Sequence, residues 1–452
     1  MKKFALIGHP LGHSLSPEIH RAIMDAAGID GSYSLLDIPP EDLPSRLPSL
    51  LSELDGFNVT IPHKKAVIPF LSALSPAARR CGAVNTVRHS TGHNTDTDGF
   101  LAAGLPLAGA RVLLLGTGGV AAMMAAECLV AGASALAVSS RTPGAATAFL
   151  DALRARLPDS PCRLSAVSGP EAPAAAAADA TVLLNGTPVG MWPRAGEIPI
   201  PPEALHAGLH VFDPVYCPTP TRLVLNARKR GAHATGGLPM LVHQAVAAQK
   251  IWNPGVDIDD AATAAGLLHS LAAALWRKNP AKILLTGFMG AGKTTVGRAL
   301  AKRLGLPFAD LDAEIAAAAG RPIPAIFADS GEDAFRALER DTAQRLLSLP
   351  GSAVIASGGG FPTFEANRAL VRRTNTLVLH IDAPFETLWE RLAGRPGRPL
   401  ARKRAETAAL HARRDPIYRS FCDFSATTSN ALAPSATTRR LASAFLAALA
   451  PL

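Results

Sequence analysis

With 452 residues the chain is too long for one ordinary hydrophobic core, so two or three domains are expected. Apolar residues make up 48% against 18% charged, without a run of eighteen apolar residues or a signal-type start; this argues against disorder and for a soluble, cytoplasmic protein with no membrane partner. The formal charge of +9 sits in the second half, with 22 basic against 21 acidic side chains through Lys278 and 23 against 15 thereafter, at separated positions without interleaved aromatics, which fits a small anionic substrate and excludes nucleic acid as the expected partner.

Short apolar runs alternate with helical stretches along the whole chain: Phe4 to Ile7, Val112 to Leu115, Leu136 to Val138, Thr181 to Leu184, Val211-Phe212, Ile283 to Leu285, Val354-Ile355 and Leu377 to Leu379. This is the βαβ rhythm of α/β folds with parallel sheets covered by helices. Glu171 to Ala180 is alanine-rich and reads as a helix or its approach. A helical pattern from Asp257 to Lys278 stops at Asn279-Pro280, where the main boundary is expected. The five cysteines show neither CxxC pairing nor histidines at metal spacing, so neither a disulfide framework nor a zinc site is expected.

In chain order, GHPLGHSLSP puts Ser14 and Ser16 on a loop after the first strand, where two hydroxyls could reach one polar ligand; read alone, it is also a Ser-rich turn before a helix starting near Pro17. NVTIPHK ends a strand in Thr60 and supplies Lys64, GAVNT presents Asn85, and HNTDTDG presents Asn94, Asp96 and Asp98. Asp98 reads as a helix N-cap. A Lys64/Asp96 pair suits ketone reduction: the ammonium gives the new alkoxide its proton while the carboxylate holds the lysine.

GTGGVA, Gly116 to Ala121, follows an apolar strand and opens a helical stretch, as a dinucleotide fingerprint does. Its residues Gly116, Thr117, Gly118, Gly119, Val120 and Ala121 are therefore cofactor candidates. After the next strand, Ser140-Arg141-Thr142 places an arginine where an NAD-selective fold commonly has Asp or Glu, which favours NADP(H); the alternative is a surface charge at a helix start. These motifs and the later NGTPVGM, DPVYCPTPT and GGLPMLVHQA, in order, resemble shikimate dehydrogenases, which reduce 3-dehydroshikimate to shikimate with NADPH. The resemblance implies Lys64 and Asp96 as catalytic residues and Ser14, Ser16, Thr60, Asn85, Asp96, Tyr216 and Gln244 as substrate partners. It also implies Thr187, Met191 and Gly237 beside the cofactor. The fold it implies is a split α/β substrate domain, 1–104 with 236–278 returning to it, around a Rossmann domain, 105–235.

GFMGAGKT, Gly287 to Thr294, matches a P-loop, whose backbone N–H groups wrap phosphates while Lys293 reaches the outer ones and Thr294 offers a hydroxyl to Mg²⁺. FADLD is expected to place Asp310 and Asp312 at alternate positions at a strand end, on one face, one supporting Mg²⁺ and the other accepting a proton. FRALE spaces Arg336 and Glu339 as a helical surface ion pair, SGGG lets a ligand approach the backbone, and RLAGRPGRPLA reads as a basic lid. With RRDPIY, these motifs resemble shikimate kinases over 281–452. That resemblance implies Asp312, Arg336, Gly358, Gly359, Gly360 and Arg414 as shikimate binders, Asp312 as base and Arg398 as the catalytic lid arginine. Gly290, Ala291, Gly292, Lys293, Thr294, Thr295, Arg391 and Arg398 are implied to hold ATP, with Thr294 and Asp310 at Mg²⁺. The expected whole is a fusion that reduces 3-dehydroshikimate and phosphorylates the product. The alternatives are an NAD-preferring quinate/shikimate dehydrogenase joined to the kinase, or a ligand sensor that does not catalyse.

Overall fold

The computed structural model describes residues 1–11, 14–278, 280–393, 404–428 and 434–449. Two compact units emerge, the first formed chiefly by Met1–Pro188 with Pro199–Ala273, the second by Val189–Ile198 with Ala274–Ala450.

The first unit contains two sheets. The N-terminal sheet is built from β1 (Lys2–Gly8), α1 (Ser16–Ala26), β2 (Gly31–Asp37), α2 (Leu43–Glu53), β3 (Gly56–Val59), β4 (Ala73–Leu74), α3 (Pro76–Cys81), β5 (Thr86–Arg88), β6 (Thr91–His93) and α4 (Asp96–Leu101). Its order is β2-β1-β3-β5-β6-β4, parallel through β3 and antiparallel where β5 meets β3 and β6. Alternation along the strands sends Ala5, Ile7, Phe57 and Val59 to one face, against Leu47 and Leu50 of α2, while Phe4 and Leu6 face the other.

The second sheet comprises β7 (Arg111–Leu115), α5 (Gly119–Val130), β8 (Ala135–Ser139), α6 (Ala145–Arg156), β9 (Arg163–Val167), α7 (Ala172–Asp179), β10 (Val182–Asn185), β11 (His210–Phe212), α8 (Arg222–Lys229) and β12 (His233–Thr235). Every pair in its order β12-β11-β10-β7-β8-β9 is parallel. This is doubly wound topology, and the direction of winding reverses between β7 and β10, where ligands of such sheets bind. The Ala-rich stretch forms α7, as its composition predicts.

Two helices follow, α9 (Gly237–Trp252) and α10 (Asp260–Lys278). Helix α9 returns to the N-terminal sheet, where Trp252 stacks on Phe4 at 4.8 Å and donates its indole N–H to the Val87 carbonyl at 2.9 Å. Gly56 has no side chain because the Trp252 ring lies directly where a Cβ would stand.

The second unit carries β13 (Lys282–Thr286), α11 (Lys293–Leu304), β14 (Phe308–Asp310), α12 (Leu311–Ala319), α13 (Ile323–Ser348), β15 (Ala353–Ala356), α14 (Glu365–Arg372), β16 (Thr376–Asp382), α15 (Phe385–Ala393), α16 (Arg404–Phe421), β17 (Phe424–Thr427) and α17 (Pro434–Leu449). Its parallel sheet runs β14-β15-β13-β16-β17, with the fully buried β13 at the centre. Among the described residues no helix is long and apolar enough to cross a membrane.

Local readings differ from the structure at four places. The strand of NVTIPHK ends at Val59, not Thr60. Thr95 occupies the cap position of α4 and Asp98 lies inside its first turn, so Asp98 is not the N-cap. Asp310 and Asp312 are not alternate strand residues, because α12 begins at Leu311; Asp310 is the N-cap and Asp312 sits in the first turn. The Arg336–Glu339 pair is not on the surface, since Glu339 is 1% exposed.

His20, fully buried in α1, stacks on Tyr33 at 4.1 Å, and its Nδ1 faces the Gln249 amide nitrogen at 3.0 Å. An amide N–H donates there, so the ring is neutral, and burial pulls its pKa down to about 3. The unfolded chain then binds a proton that the folded one refuses. Stability of the first unit should fall as pH drops below about 6.5 and continue falling towards 3, by about 2 kcal/mol between pH 8 and pH 5 from this group alone. Urea unfolding of wild type and His20→Gln across that range checks it: the variant should lose this part of the slope, and equal slopes would refute the assignment.

Candidate active sites

In the first unit Lys64 lies in the turn after β3 and Asp96 opens α4. The Lys64 ammonium donates to Asp96 Oδ2 at 2.6 Å, with the side chains 31% and 17% exposed, so the pair is both sheltered and reachable. Asp96 Oδ1 accepts from Asn85 Nδ2 at 2.9 Å, and its backbone N–H donates to Asn94 Oδ1 at 3.2 Å. Asn85 Oδ1 takes the Thr95 backbone N–H at 2.7 Å, which orients the amide so that only its NH₂ faces the carboxylate.

The chain of donors continues inward. The Thr86 hydroxyl donates to Asn85 Oδ1 at 3.0 Å, Asn58 Nδ2 donates to Thr86 Oγ1 at 3.0 Å, and the Tyr33 hydroxyl donates to Asn58 Oδ1 at 2.8 Å. Tyr33, whose pKa burial raises, also interacts with Ser16. Ser14 Oγ donates to Ser16 Oγ at 3.1 Å and accepts the Ser16 backbone N–H at the same distance. Thus Ser14, Ser16, Asn85, Asp96 and Lys64 belong to one polar network, although 82 positions of sequence numbering separate Ser14 from Asp96. Thr60 follows β3 and packs against Gly8, whose missing side chain makes room for it. Gln244, 9% exposed on α9, donates to the Leu241 carbonyl at 2.9 Å.

At the switch point, Gly116 has φ +97° and a Cβ there would meet the Thr187 methyl at 2.7 Å and the Gly186 carbonyl at 2.9 Å, so only glycine serves. Thr117 and Gly118 then lead into α5, where Gly118 is the cap, Gly119 and Val120 form the first turn and Ala121 packs against Gly186. The exposed N-terminus of a twelve-residue helix suits a diphosphate. Ser140, Arg141 and Thr142 follow β8, with Arg141 and Thr142 exposed and the Thr142 N–H donating to Ser140 Oγ at 3.2 Å. Arg141 is therefore free of burial and reachable by a phosphate beyond the strand. Met191 is 46% exposed, Tyr216 is half-buried, which raises its pKa, and Gly237 begins α9 against the Pro214 carbonyl.

In the second unit a cleft of about 360 Å³ is lined by Gly290, Ala291, Gly292, Lys293, Thr294 and Thr295, together with Asp310, Asp312, Gly359 and Arg391. Gly290 and Gly292 adopt φ of +82° and +95°, and the helix α11 starts at Lys293, whose ammonium donates to the Gly287 and Phe288 carbonyls at 2.9 and 3.1 Å. The Thr294 hydroxyl donates to Asp310 Oδ2 at 2.6 Å, while Asp310 Oδ1 caps α12 through the N–H groups of Asp312 and Ala313. A hydroxyl and a carboxylate in contact at a phosphate loop form a donor set that fits Mg²⁺. Arg391 donates to the Gly290 carbonyl and Thr428 Oγ1 at 3.4 and 3.1 Å. Thr428, Thr437, Thr438 and Leu441 also line this cleft, with no local motif in the sequence to announce them.

Facing Asp312, the SGGG strand end packs so tightly that a Cβ on Gly358 would lie 2.8 Å from Asp312 Oδ1 and 3.0 Å from Glu339 Oε1. A Cβ on Gly360 would press on the Arg336 guanidinium at 3.0 Å. Arg336 donates Nη1 to Glu339 Oε2 at 2.9 Å and Nη2 to Glu332 Oε1 at 3.0 Å, and its guanidinium lies over the rings of Phe335 and Phe364. Burial raises the Glu339 pKa, Arg336 opposes that and Asp312 adds to it. Arg414 reaches the Gly359 carbonyl at 3.5 Å, and Tyr418 donates its hydroxyl to the same oxygen at 2.5 Å, with burial pushing the phenol up to about 12. Motif reading overlooked Glu339 and Tyr418 as builders of this site; FRALE and RRDPIY contain both. Arg398 lies outside the described residues.

Comparison with known proteins separates the two halves in the same way. Residues 6–87 match the family described as shikimate dehydrogenase substrate binding domain, and residues 289–449 match shikimate kinase. The chain is 42% identical over 258 residues to shikimate dehydrogenase (NADP(+)) of Moorella thermoacetica, covering 55% of this chain and 86% of that protein. To the enzyme of the same name from Rubrobacter xylanophilus it is 44% identical over 268 residues, covering 56% and 91%. Among solved structures, shikimate 5-dehydrogenase from Thermus thermophilus in complex with NADP(H) and shikimate superposes with a TM-score of 0.52 at 35% identity, over 59% of this chain and 98% of that one. The chain therefore belongs to the shikimate dehydrogenase family and carries, fused after that enzyme, a shikimate kinase domain.

Proposed function

We propose that the chain carries out two consecutive steps: reduction of 3-dehydroshikimate to shikimate with NADPH, then transfer of the ATP γ-phosphoryl group to shikimate. The relatives' names and the kinase match support the two activities and the cofactors NADP(H), ATP and Mg²⁺. The observation that carries the first step is the 2.6 Å Lys64–Asp96 contact. NADPH supplies the hydride when bound. Lys64 gives its proton to the oxygen that becomes the alcohol, and Asp96, clamped by Asn85, keeps the ammonium aimed. Ser14, Ser16, Thr60, Tyr216 and Gln244 bind the substrate's carboxylate and hydroxyls. Gly116 to Ala121, Thr187 and Gly237 would hold the cofactor, with Ser140, Arg141 and Thr142 at its 2′-phosphate. Arg141, exposed after β8 in place of an acid, favours NADP over NAD.

The second step rests on the phosphate loop, the Thr294–Asp310 contact and Asp312 lining one cleft. MgATP supplies the phosphoryl group when bound. Lys293 would pair with its phosphates, Thr294 and Asp310 would hold the metal, Thr295 continues the first turn of α11, and Arg391 would bind the nucleotide. Asp312 accepts the hydroxyl proton, and Arg336 and Arg414 address the substrate carboxylate over Gly358, Gly359 and Gly360. Arg398 is assigned by resemblance to the transferring phosphate. In this reading residues 1–104 with 236–278 form the substrate domain, 105–235 the dinucleotide domain and 281–452 the kinase. The setting is cytoplasmic, the partners are small molecules, and neither nucleic acid nor membrane is involved.

Three outcomes test the reading. Incubation with 3-dehydroshikimate, NADPH and MgATP should yield shikimate 3-phosphate, and omission of ATP should stop the sequence at shikimate; faster turnover of quinate with NAD would overturn the dehydrogenase assignment. Lys64→Ala should lower dehydrogenase kcat about 10²–10⁴-fold with kinase turnover intact, and Asp312→Ala should do the converse; unimpaired turnover would remove the role. Gly358→Ala, which crowds Asp312 and Glu339, should raise the kinase KM for shikimate about tenfold while leaving the dehydrogenase untouched, checked by initial rates on the same preparation.

A further inference from the structure

Asp213, at the end of β11, is fully buried, and the donors it meets are neutral. Its Oδ1 accepts from Asn185 Nδ2 at 2.9 Å and from the Val215 backbone N–H at 3.1 Å, while Oδ2 accepts the Thr221 hydroxyl at 2.6 Å. Burying a carboxylate without a cation is costly, and this desolvation lifts its pKa to about 6 against the pull of those donors. Its two oxygens hold three donors from three separate segments, so what the residue secures is their position.

Each donor leads to a loop at the cofactor end of the sheet. Asn185, itself buried, turns its Oδ1 to the Thr187 backbone N–H at 3.0 Å and the Thr187 hydroxyl at 2.7 Å. Thr187 then presses its methyl towards Gly116, the first glycine of the dinucleotide loop. Val215 precedes Tyr216, and its carbonyl accepts the Gly237 N–H at 3.2 Å, which ties the start of α9 to the same point. Thr221 caps α8 through the Val224 N–H at 3.4 Å.

We propose that Asp213 is a positioning residue of the dehydrogenase: through Asn185 and Val215 it sets the Thr187, Tyr216 and Gly237 segments against the bound dinucleotide and substrate. This rests on the reading of Thr187 and Tyr216 as cofactor and substrate contacts. Asp213→Leu keeps roughly the volume and removes both acceptors, so the Asn185, Val215 and Thr221 donors all lose their partner. Asp213→Asn keeps Oδ1 towards Asn185 and Val215, and the Thr221 hydroxyl accepts the new NH₂, so the Thr187 and Tyr216 segments stay tied.

The full chain serves for the test, with its kinase turnover as internal control of folding. NADPH affinity is read by nucleotide fluorescence titration, and dehydrogenase kcat and KM by initial rates. Asp213→Leu should weaken NADPH binding and raise its KM about tenfold with kinase rates unchanged, and Asp213→Asn should stay within about threefold of wild type. Unchanged NADPH affinity in Asp213→Leu, a parallel loss of kinase turnover, or an Asp213→Asn as impaired as Asp213→Leu would overturn the proposal. Thr187→Val separates the two layers: if it leaves NADPH binding intact, the cofactor reading of this loop fails; if it weakens binding while Asp213→Leu does not, the positioning role alone fails.

Discussion

Parallel strand pairing is the constraint on which both nucleotide loops depend. When every strand of a sheet runs the same way, all strand-to-helix loops leave from one edge, and side chains far apart in sequence meet there. Registry of β7 with β10 brings Gly116 against Thr187, and registry of β13 with β15 brings the phosphate loop beside Ser357 and Gly359. Each glycine loop exits a buried strand whose neighbours come from opposite directions of winding, where neither flanking connection covers the edge.

The N-terminal site is organised differently. Its sheet is mixed, and the antiparallel β3–β5–β6 portion places Asn58, Thr86, Asn85 and the start of α4 side by side. What results is a buried polar chain from Tyr33 to Lys64 in which backbone contacts fix each amide's orientation. A network satisfied in this manner is rigid, because rotating one amide would leave a buried donor facing another donor. The kinase cleft solves the same problem with a buried Glu339 beneath Arg336 and three successive glycines that allow Asp312, Glu339 and Arg336 to close on one strand end.

Legibility varied with the range of the interactions. The phosphate loop and dinucleotide turn were readable because their function lies in consecutive backbone groups, and the strands before them show as apolar runs. Lys64 and Asp96 are readable as candidates through their motifs; their 2.6 Å contact depends on the fold of the chain between them, since they stand 32 positions apart. Asp310 and Asp312 were expected on one face of a strand. An aspartate at 310 instead starts α12 by capping it, and Asp312 enters the first turn of that helix. Glu339 shows the limit of periodicity: a spacing of three reports that two residues share a helix face, while the packing of α13 against its sheet decides whether that face is wet.

From its sequence alone this protein is an α/β chain with two nucleotide loops of different design, a Lys/Asp pair suited to ketone reduction and an Asp/Arg set suited to phosphoryl transfer. These follow from local chemistry, since glycine, lysine and hydroxyl residues at fixed spacing act through their own backbone. The tertiary structure decided the supports: Asn85 under Asp96, Glu339 under Arg336, Tyr418 under Gly359, and Asp213 behind Thr187 and Tyr216. Each supporting side chain is defined by burial and by a partner distant in sequence or hidden on a helix face, and only the packed chain creates either condition.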